Sequence, residues 1–141
     1  MKLIEISKEQ LNTYSSKQKQ AQFLQAGEWG DFQESVGAEV FRFGVEDKGD
    51  IKFAFLAIKK SLPMHKSYLY IPRTEMKYGE FLLTELKKKF LDVLFVRIEP
   101  VSQLRIKNEE LRINKTVDVQ ASETAIVDLS RSAEEILKSF H

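Results

Sequence analysis

The chain contains no cysteine among its 141 residues, so disulfides, thiolate nucleophiles and cysteine-type zinc sites are excluded. It has two histidines, His65 in a Pro-Met-His-Lys segment and His141 at the end. Neither stands beside a serine or an aspartate in the context of a catalytic triad. No two histidines or carboxylates stand at i, i+3 or i, i+4 within a known metal-ligand motif. We therefore expect neither a catalytic histidine nor a bound metal.

Glycine-rich phosphate loops are also missing. None of the six glycines forms a G-x-G pair, and no glycine-rich loop leads from a predicted strand into a helix. Nucleotide and coenzyme A loops need closely spaced glycines, because their backbone amides must approach phosphate. We therefore expect no cofactor, and an ordinary acetyl-coenzyme A transferase is disfavoured.

The chain lacks long apolar runs and an excess of either charge. The N-terminal stretch MKLIEISKEQ is not a signal peptide, and no window approaches the roughly 20 apolar residues of a membrane span. Lysine and arginine number 22 and aspartate and glutamate 21, which gives no electrostatic reason for tight non-specific binding to nucleic acid. We expect a cytoplasmic protein, with the inner face of the membrane as a peripheral location.

The composition that remains is globular, with 43% hydrophobic and 30% charged residues. A chain of this length buries about two thirds of its unfolded surface, which is enough for one core. We expect a single domain over residues 1–141. Its parts are a hairpin-rich core over about 1–100, an irregular connection over 101–123, and a strand with a C-terminal helix over 124–141.

The apolar pattern predicts the element order β-α-α-β-β-β-α-β-(α)-β-α, which is an α/β or α+β domain with a mixed sheet. Val40–Val45 alternates, and Ile51–Lys60 is apolar on both faces, so the two predict a hairpin with a central second strand. Tyr78–Leu91 has the strongest helical stripe. The other predicted strands are Lys2–Ile6, Tyr68–Pro72, Val93–Glu99 and Thr124–Leu129, and the other predicted helices begin near Ser7, Asn108 and Ser132.

The stretch FLQAGEWGDFQ, Phe23–Gln33, holds the only tryptophan. Trp29, Phe32 and Val36 stand at i, i+3 and i+7, which predicts an amphipathic helix that turns these side chains inward. The predicted core comprises Trp29, Phe32, Phe53, Phe55, Phe81, Leu82, Leu86 and Phe95.

This stretch also opens a succession of segments that resembles the FemAB-type peptidoglycan aminoacyltransferases. FLQAGEWGDFQESVG is followed by VFRFGVEDKGDIKFAFLAIKKSLP, SYLYIPR, RIEP and ETAIVDLS in matching order. The resemblance implies a GNAT-like fold, which the family carries twice in tandem and of which this chain matches the first copy. It also implies a tRNA-dependent aminoacyltransferase that acts on a nucleotide- or lipid-linked peptidoglycan precursor, with aminoacyl-tRNA as co-substrate.

The resemblance implies a precursor-binding set of Trp29, Gln33, Tyr70 and Arg73, and it leaves the catalytic residues unknown. Gln33 stands where the family has a basic residue, and an amide makes a weaker contact with phosphate than a charged group does. Arg73 would clamp a phosphate or carboxylate, with a surface ion pair as the alternative. Where the family often continues with Gly-Pro, this chain has Thr74-Glu75. Lys59, Lys60 and Lys66 are predicted to form a solvated strand end, with an anion patch that includes Arg73 as the alternative.

Two functions remain open from the sequence. One is aminoacyl transfer, or the precursor-binding half of such an enzyme, acting through the positioning of an amine near an aminoacyl ester. The other is a non-catalytic GNAT-like module that binds a cell-wall precursor or a partner protein. In the family the closing helix leads into a second domain, whereas nothing follows His141 here. We therefore expect the isolated chain to lack transfer activity, and to associate with a second domain or with itself through its C-terminal helix.

Overall fold

The structure, a computed structural model, describes residues 1–18, 22–75, 77–101, 114, 116 and 132–138. Its five-stranded mixed sheet has the order β1-β2-β3-β4-β5, in which the pairs β1–β2, β2–β3 and β3–β4 are antiparallel and the pair β4–β5 is parallel. The expected α+β fold with a mixed sheet is therefore confirmed. The strands are β1 Lys2–Glu5, β2 Glu39–Asp47, β3 Asp50–Leu62, β4 Lys66–Thr74 and β5 Val93–Pro100. The helices are α1 Lys8–Ser15, a 3₁₀ turn Phe23–Gln25, α2 Gly27–Ser35, α3 Gly79–Lys89 and α4 Ala133–Lys138.

The predicted hairpin is confirmed as β2 and β3. Their register runs from Glu39 opposite Lys59 to Asp47 opposite Asp50. The turn between them uses two left-handed residues, Lys48 at φ 52° and Gly49 at φ 88°, which is the backbone that suits a tight hairpin. β3 is central, because β2 and β4 pair with its two edges.

Helix α3 covers one face of the sheet, which we call the α3 face. The core on this face joins Leu82, Leu86 and Phe90 to side chains from β2, β3 and β4, and Phe53 and Phe55 are almost fully buried there. The two strand faces alternate as the sequence predicts, since burying one face of a strand fixes its register. The strand side chains in this cluster are Phe43, Val45, Phe53, Phe55, Ala57, Leu69 and Ile71.

Helices α1 and α2 cover the opposite face, the α1–α2 face. Ser7 begins α1 with a capping box, in which the Ser7 and Gln10 side chains each bond the other residue's backbone amide. Leu11 brings α1 onto the sheet and is fully buried. The cluster on this face comprises Ile6, Leu11, Ala54, Leu56, Ile58 and Tyr70.

Helix α2 does not present the predicted face to the sheet. Its buried residues are Gly27, Gly30 and Gln33, whereas Phe32 is 52% exposed and Trp29 is half-buried. At Gly30 the helix lies so close that an added Cβ would come within 2.8 Å of both Arg42 and Leu56 side-chain atoms. Arg42 pairs with Asp31 at 2.8 Å and with Glu34 at 2.9 Å. The helix is thus held by small residues and ion pairs, so the prediction of Phe32 in the core is wrong.

The prediction of a buried Phe95 is also wrong. Phe95 is 50% exposed on β5, where its ring stacks on Tyr68 with centroids 5.0 Å apart. Within the described residues β5 pairs with β4 alone, so its side chains have neighbours on one side. Phe81 is half-buried against the α3-face core.

The C-terminal helix begins as predicted. The Ser132 and Glu135 side chains bond each other's backbone amides, which is the expected capping box. α4 spans Ala133–Lys138, and Leu137 is 65% exposed. Phe140, the helix predicted near Asn108, the strand Thr124–Leu129 and most of the connection over 101–123 lie outside the described residues.

Candidate functional site

The pairing between β3 and β4 stops shortly before a proline, Pro72. The antiparallel register runs from Leu62 opposite Lys66 to Ile58 opposite Tyr70. Continued in this register, Ala57 would stand opposite Ile71 and Leu56 opposite Pro72. Because proline has no backbone N–H, it cannot complete the ladder there. The two strands therefore separate beyond Tyr70.

The side chain of Gln25 fills this break. Its Oε1 accepts a hydrogen bond from the Leu56 amide at 2.6 Å, and its Nε2 donates to the Leu56 carbonyl at 3.3 Å and to the Pro72 carbonyl. Gln25 is buried, and it reaches the sheet from the 3₁₀ turn before α2. One side-chain amide thus serves polar backbone groups of both separated strands.

Arg73 follows the break in a left-handed backbone conformation, with φ 33°. β4 advances three residues, from Ile71 to Thr74, while β5 advances two, from Ile98 to Pro100. The extra residue forms a bulge, which redirects a side chain out of the regular pleat. A strained position of this kind persists only where the surrounding structure holds it in place. Such positions are frequent at functional sites.

A small pocket of about 40 Å³ lies at this end of β4. Arg73, Thr74 and Glu75 line it together with Tyr14 of α1 and the buried Gln25. Desolvation by burial is the main cause that raises the pKa of the Tyr14 hydroxyl above its ordinary value. The phenol is a neutral hydrogen-bonding group at neutral pH, as a tyrosine of ordinary pKa also is. A guanidinium in such a pocket offers paired donors that match the oxygens of a carboxylate or phosphate.

The other three expected site residues lie on the α1–α2 face. Trp29 stands between two rings, with centroids 5.3 Å from Phe23 and 5.3 Å from Phe32. Gln33 is buried, and its Oε1 accepts a hydrogen bond from the Lys60 ammonium at 3.0 Å. The Tyr70 hydroxyl is hydrogen-bonded to Glu99 at 2.6 Å.

The structure brings Trp29, Gln33 and Tyr70 to one face and places Arg73 in a separate pocket that none of them lines. The alternative of an anion patch that joins the three lysines to Arg73 does not fit the structure. Lys66 begins β4 and Arg73 lies near its other end, roughly 23 Å away at the rise of an extended strand. The reason is the strand direction, because β4 runs away from the hairpin that carries the lysines.

Gln25 and the Pro72 break were not predicted from the sequence. A proline in a strand pattern is the available signal, because it marks either an edge or a break in the ladder. Nothing in the spacing of Gln25 indicates its partner strands, since the contacts span 31 and 47 positions. Within the described parts of the chain, no group of three or more potential metal ligands occurs and no helix is long and apolar enough to cross a membrane.

Comparisons with known proteins agree with this architecture. The model of the FemAB family matches residues 6–135. A solved structure described as "Crystal structure of FemX" matches with a TM-score of 0.59 and 19% sequence identity. The match covers 70% of this chain and 27% of that chain, so this chain corresponds to less than a third of the FemX chain. No curated protein matches the chain.

Proposed function

This chain belongs to the FemAB family, and from that premise we propose that it forms the precursor-binding part of a tRNA-dependent aminoacyltransferase. The family supports a peptidoglycan precursor as acceptor and aminoacyl-tRNA as donor. The observation that carries the proposal for this chain is the strained Arg73 beside the buried Gln25 in the pocket at the end of β4. A cation held in this way is suited to an anionic group of an elongated substrate.

The proposed precursor site also includes Trp29, Gln33 and Tyr70. Trp29 and its neighbouring aromatic rings offer a partly exposed apolar surface to a sugar or a base. The Arg73 pocket takes a carboxylate or phosphate of the same substrate. We assign both places to one elongated substrate, a nucleotide- or lipid-linked muropeptide.

Lys60 supplies the charge that Gln33 lacks. The resemblance implies that Gln33 stands where the family has a basic residue, and here the Gln33 amide instead accepts a hydrogen bond from the Lys60 ammonium at 3.0 Å. Lys60 belongs to strand β3, so the positive charge beside α2 is supplied by the sheet and not by the helix itself. We assign Gln33 the role of orienting Lys60, and Lys60 the role of binding precursor phosphate.

The mechanism that fits these residues is positioning. Holding the precursor amine next to an aminoacyl ester makes the reaction effectively unimolecular, which lowers the barrier without a covalent enzyme intermediate. The described residues of this chain bind and orient the acceptor in this scheme, and the scheme assigns no general base among them.

Calorimetric titration of the chain with a nucleotide-linked muropeptide tests the proposal. Arg73→Gln and Lys60→Gln should each weaken binding about 10- to 100-fold, because each removes a charge-assisted contact. Lys52→Gln is the matched control, since Lys52 pairs locally with Asp50 and lies at the β2–β3 turn. Equal affinity of all four proteins, or no binding by the parent chain, would refute the proposed site.

A transfer assay separates the two candidate functions. Aminoacyl-tRNA and the muropeptide are incubated with this chain and with the remaining part of a FemAB-type protein supplied separately. Transfer that depends on Arg73 supports the aminoacyltransferase. Precursor binding without transfer under every such condition supports the non-catalytic binding module instead.

A further inference from the structure

The β3–β4 hairpin ends in an unusual turn. Met64 and His65 both have left-handed backbones, with φ 59° and 55°, and the Lys66 amide bonds back to the Pro63 carbonyl. Such turns normally use asparagine and glycine, because other side chains are strained there. Here the first position carries a methionine that is 83% exposed. The fold thus tolerates strain at a site where an apolar side chain points into solvent.

The loop between α3 and β5 lies beside this turn. Lys59 bonds Asp92 at 2.5 Å, and Ser67 donates to the Asp92 carbonyl at 3.4 Å. Leu91, which precedes Asp92, is 88% exposed. Met64 and Asp92 both line one broad surface groove. Two exposed apolar side chains therefore project from the same end of the sheet, which we call the hairpin end.

The charges at the hairpin end favour binding to a negatively charged surface, because the carboxylates there are paired with lysines and, in the described part of the chain, two further lysines are not. The carboxylates of Glu39 and Asp92 are both within 3.4 Å of the Lys59 ammonium, and Glu85 pairs with Lys88 at 2.7 Å. Two further lysines stand close to the exposed apolar residues: Lys66, directly after the turn, and Lys87, in the last turn of α3. Among the described residues these two have no ion-pair partner.

We propose that the hairpin end docks on an anionic lipid bilayer, with Met64 and Leu91 inserted at the headgroup level and Lys66 and Lys87 against the lipid phosphates. Exposed apolar side chains flanked by lysines match both layers of such a surface. The proposal deepens the proposed function, because a lipid-linked precursor is encountered at a membrane. Its test contains no precursor, so the outcome is independent of the precursor site.

The test is co-sedimentation of the full chain with vesicles of phosphatidylcholine, with and without 30% phosphatidylglycerol. The chain should bind the phosphatidylglycerol vesicles, and raised salt should release it. Met64→Asn and Leu91→Asn should each lower the partition coefficient about tenfold, because each removes an apolar side chain that inserts into the bilayer. Met64→Asn should leave the melting temperature unchanged or higher, since asparagine tolerates the left-handed backbone. If Met64 instead had a purely structural role, Met64→Asn would have a lower melting temperature than the parent chain.

The controls are Phe23→Asn, an exposed apolar residue in the 3₁₀ turn, and Lys52→Gln at the β2–β3 turn. Both should bind vesicles as the parent chain does, whereas Lys66→Gln with Lys87→Gln should bind several-fold more weakly. The proposal is overturned if the parent chain does not bind phosphatidylglycerol vesicles or if Met64→Asn and Leu91→Asn bind normally. It is equally overturned if sedimentation velocity shows that these two substitutions dissociate an oligomer without changing vesicle binding, since the partner would then be a second copy.

Discussion

Replacing Gln25 should lower the free energy of unfolding more than a substitution in a short turn usually does. Gln25→Met keeps the length of the side chain and removes the hydrogen bonds to Leu56 and Pro72. The Leu56 amide is then buried without a partner, at a cost of about 1–3 kcal/mol, and two amide–carbonyl bonds of about 0.5–1.5 kcal/mol each are lost. The free energy of unfolding should therefore fall by roughly 2–6 kcal/mol, a large part of the stability of an ordinary domain.

Urea titration of Gln25→Met, followed by circular dichroism, measures this loss. Gln22→Met is the matched control, because the Gln22 side chain has no hydrogen-bond partner among the described residues, and its effect should stay within about 0.5 kcal/mol. A Gln25→Met protein as stable as this control would show that the amide does not bridge the two strands.

Gln25→Glu gives a second readout with a definite sign. A buried carboxyl group facing two backbone carbonyls is favoured in its protonated, donating form, so its pKa in the folded protein should rise above the unfolded value. A raised folded pKa contributes stability that is fully present below the unfolded pKa and is lost as the pH rises through the folded pKa. Relative to the parent chain at each pH, Gln25→Glu should therefore be more stable at pH 4 than at pH 7. The opposite trend would contradict the assigned contacts.

Three further outcomes follow from the packing and the charges. Phe55→Ala should lower the free energy of unfolding by about 3–5 kcal/mol, because the ring is fully buried, and an unchanged urea midpoint would contradict the central position of β3. Phe32→Ala should cost less than about 1 kcal/mol, since half of that side chain is exposed; a loss equal to that of Phe55→Ala would contradict the orientation of α2. The hydrogen bond from Lys8 holds the pKa of Asp31 below its ordinary value of 3.8, so stability should be lost as the pH falls through the folded pKa, and Asp31→Asn should flatten that loss in acid urea titrations.

The sequence predicts the strands well, because their side chains alternate and β3 is apolar on both faces. It fails at α2, where the buried positions are Gly27, Gly30 and Gln33 rather than the aromatic residues. Hydrophobic periodicity cannot detect a helix that packs through glycine and is fixed by Arg42. The same limit applies to Phe95, whose exposure depends on which strands flank β5.

The candidate site is less accessible to sequence reasoning than the fold. Arg73 was identified through its resemblance to a family motif, but its bulge depends on the β4–β5 register. The contacts of Gln25 join residues far apart in the chain, so no local pattern contains them. Likewise, Lys60 and Gln33 come together only because α2 crosses β3 at that point.

The parallel pairing of β5 has a consequence for the order of folding. β1 to β4 are antiparallel neighbours, and the hairpins β2–β3 and β3–β4 close through short turns. β5 can join the sheet only after the crossover that contains α3 has closed, and closing a longer loop carries a larger entropic cost. Strand β5 should therefore gain protection from hydrogen exchange after the β2–β3 hairpin during refolding. Since the Arg73 bulge is defined by β5, the pocket would be completed late, and local opening of β5 in the native protein would dissolve it while the hairpins remain intact.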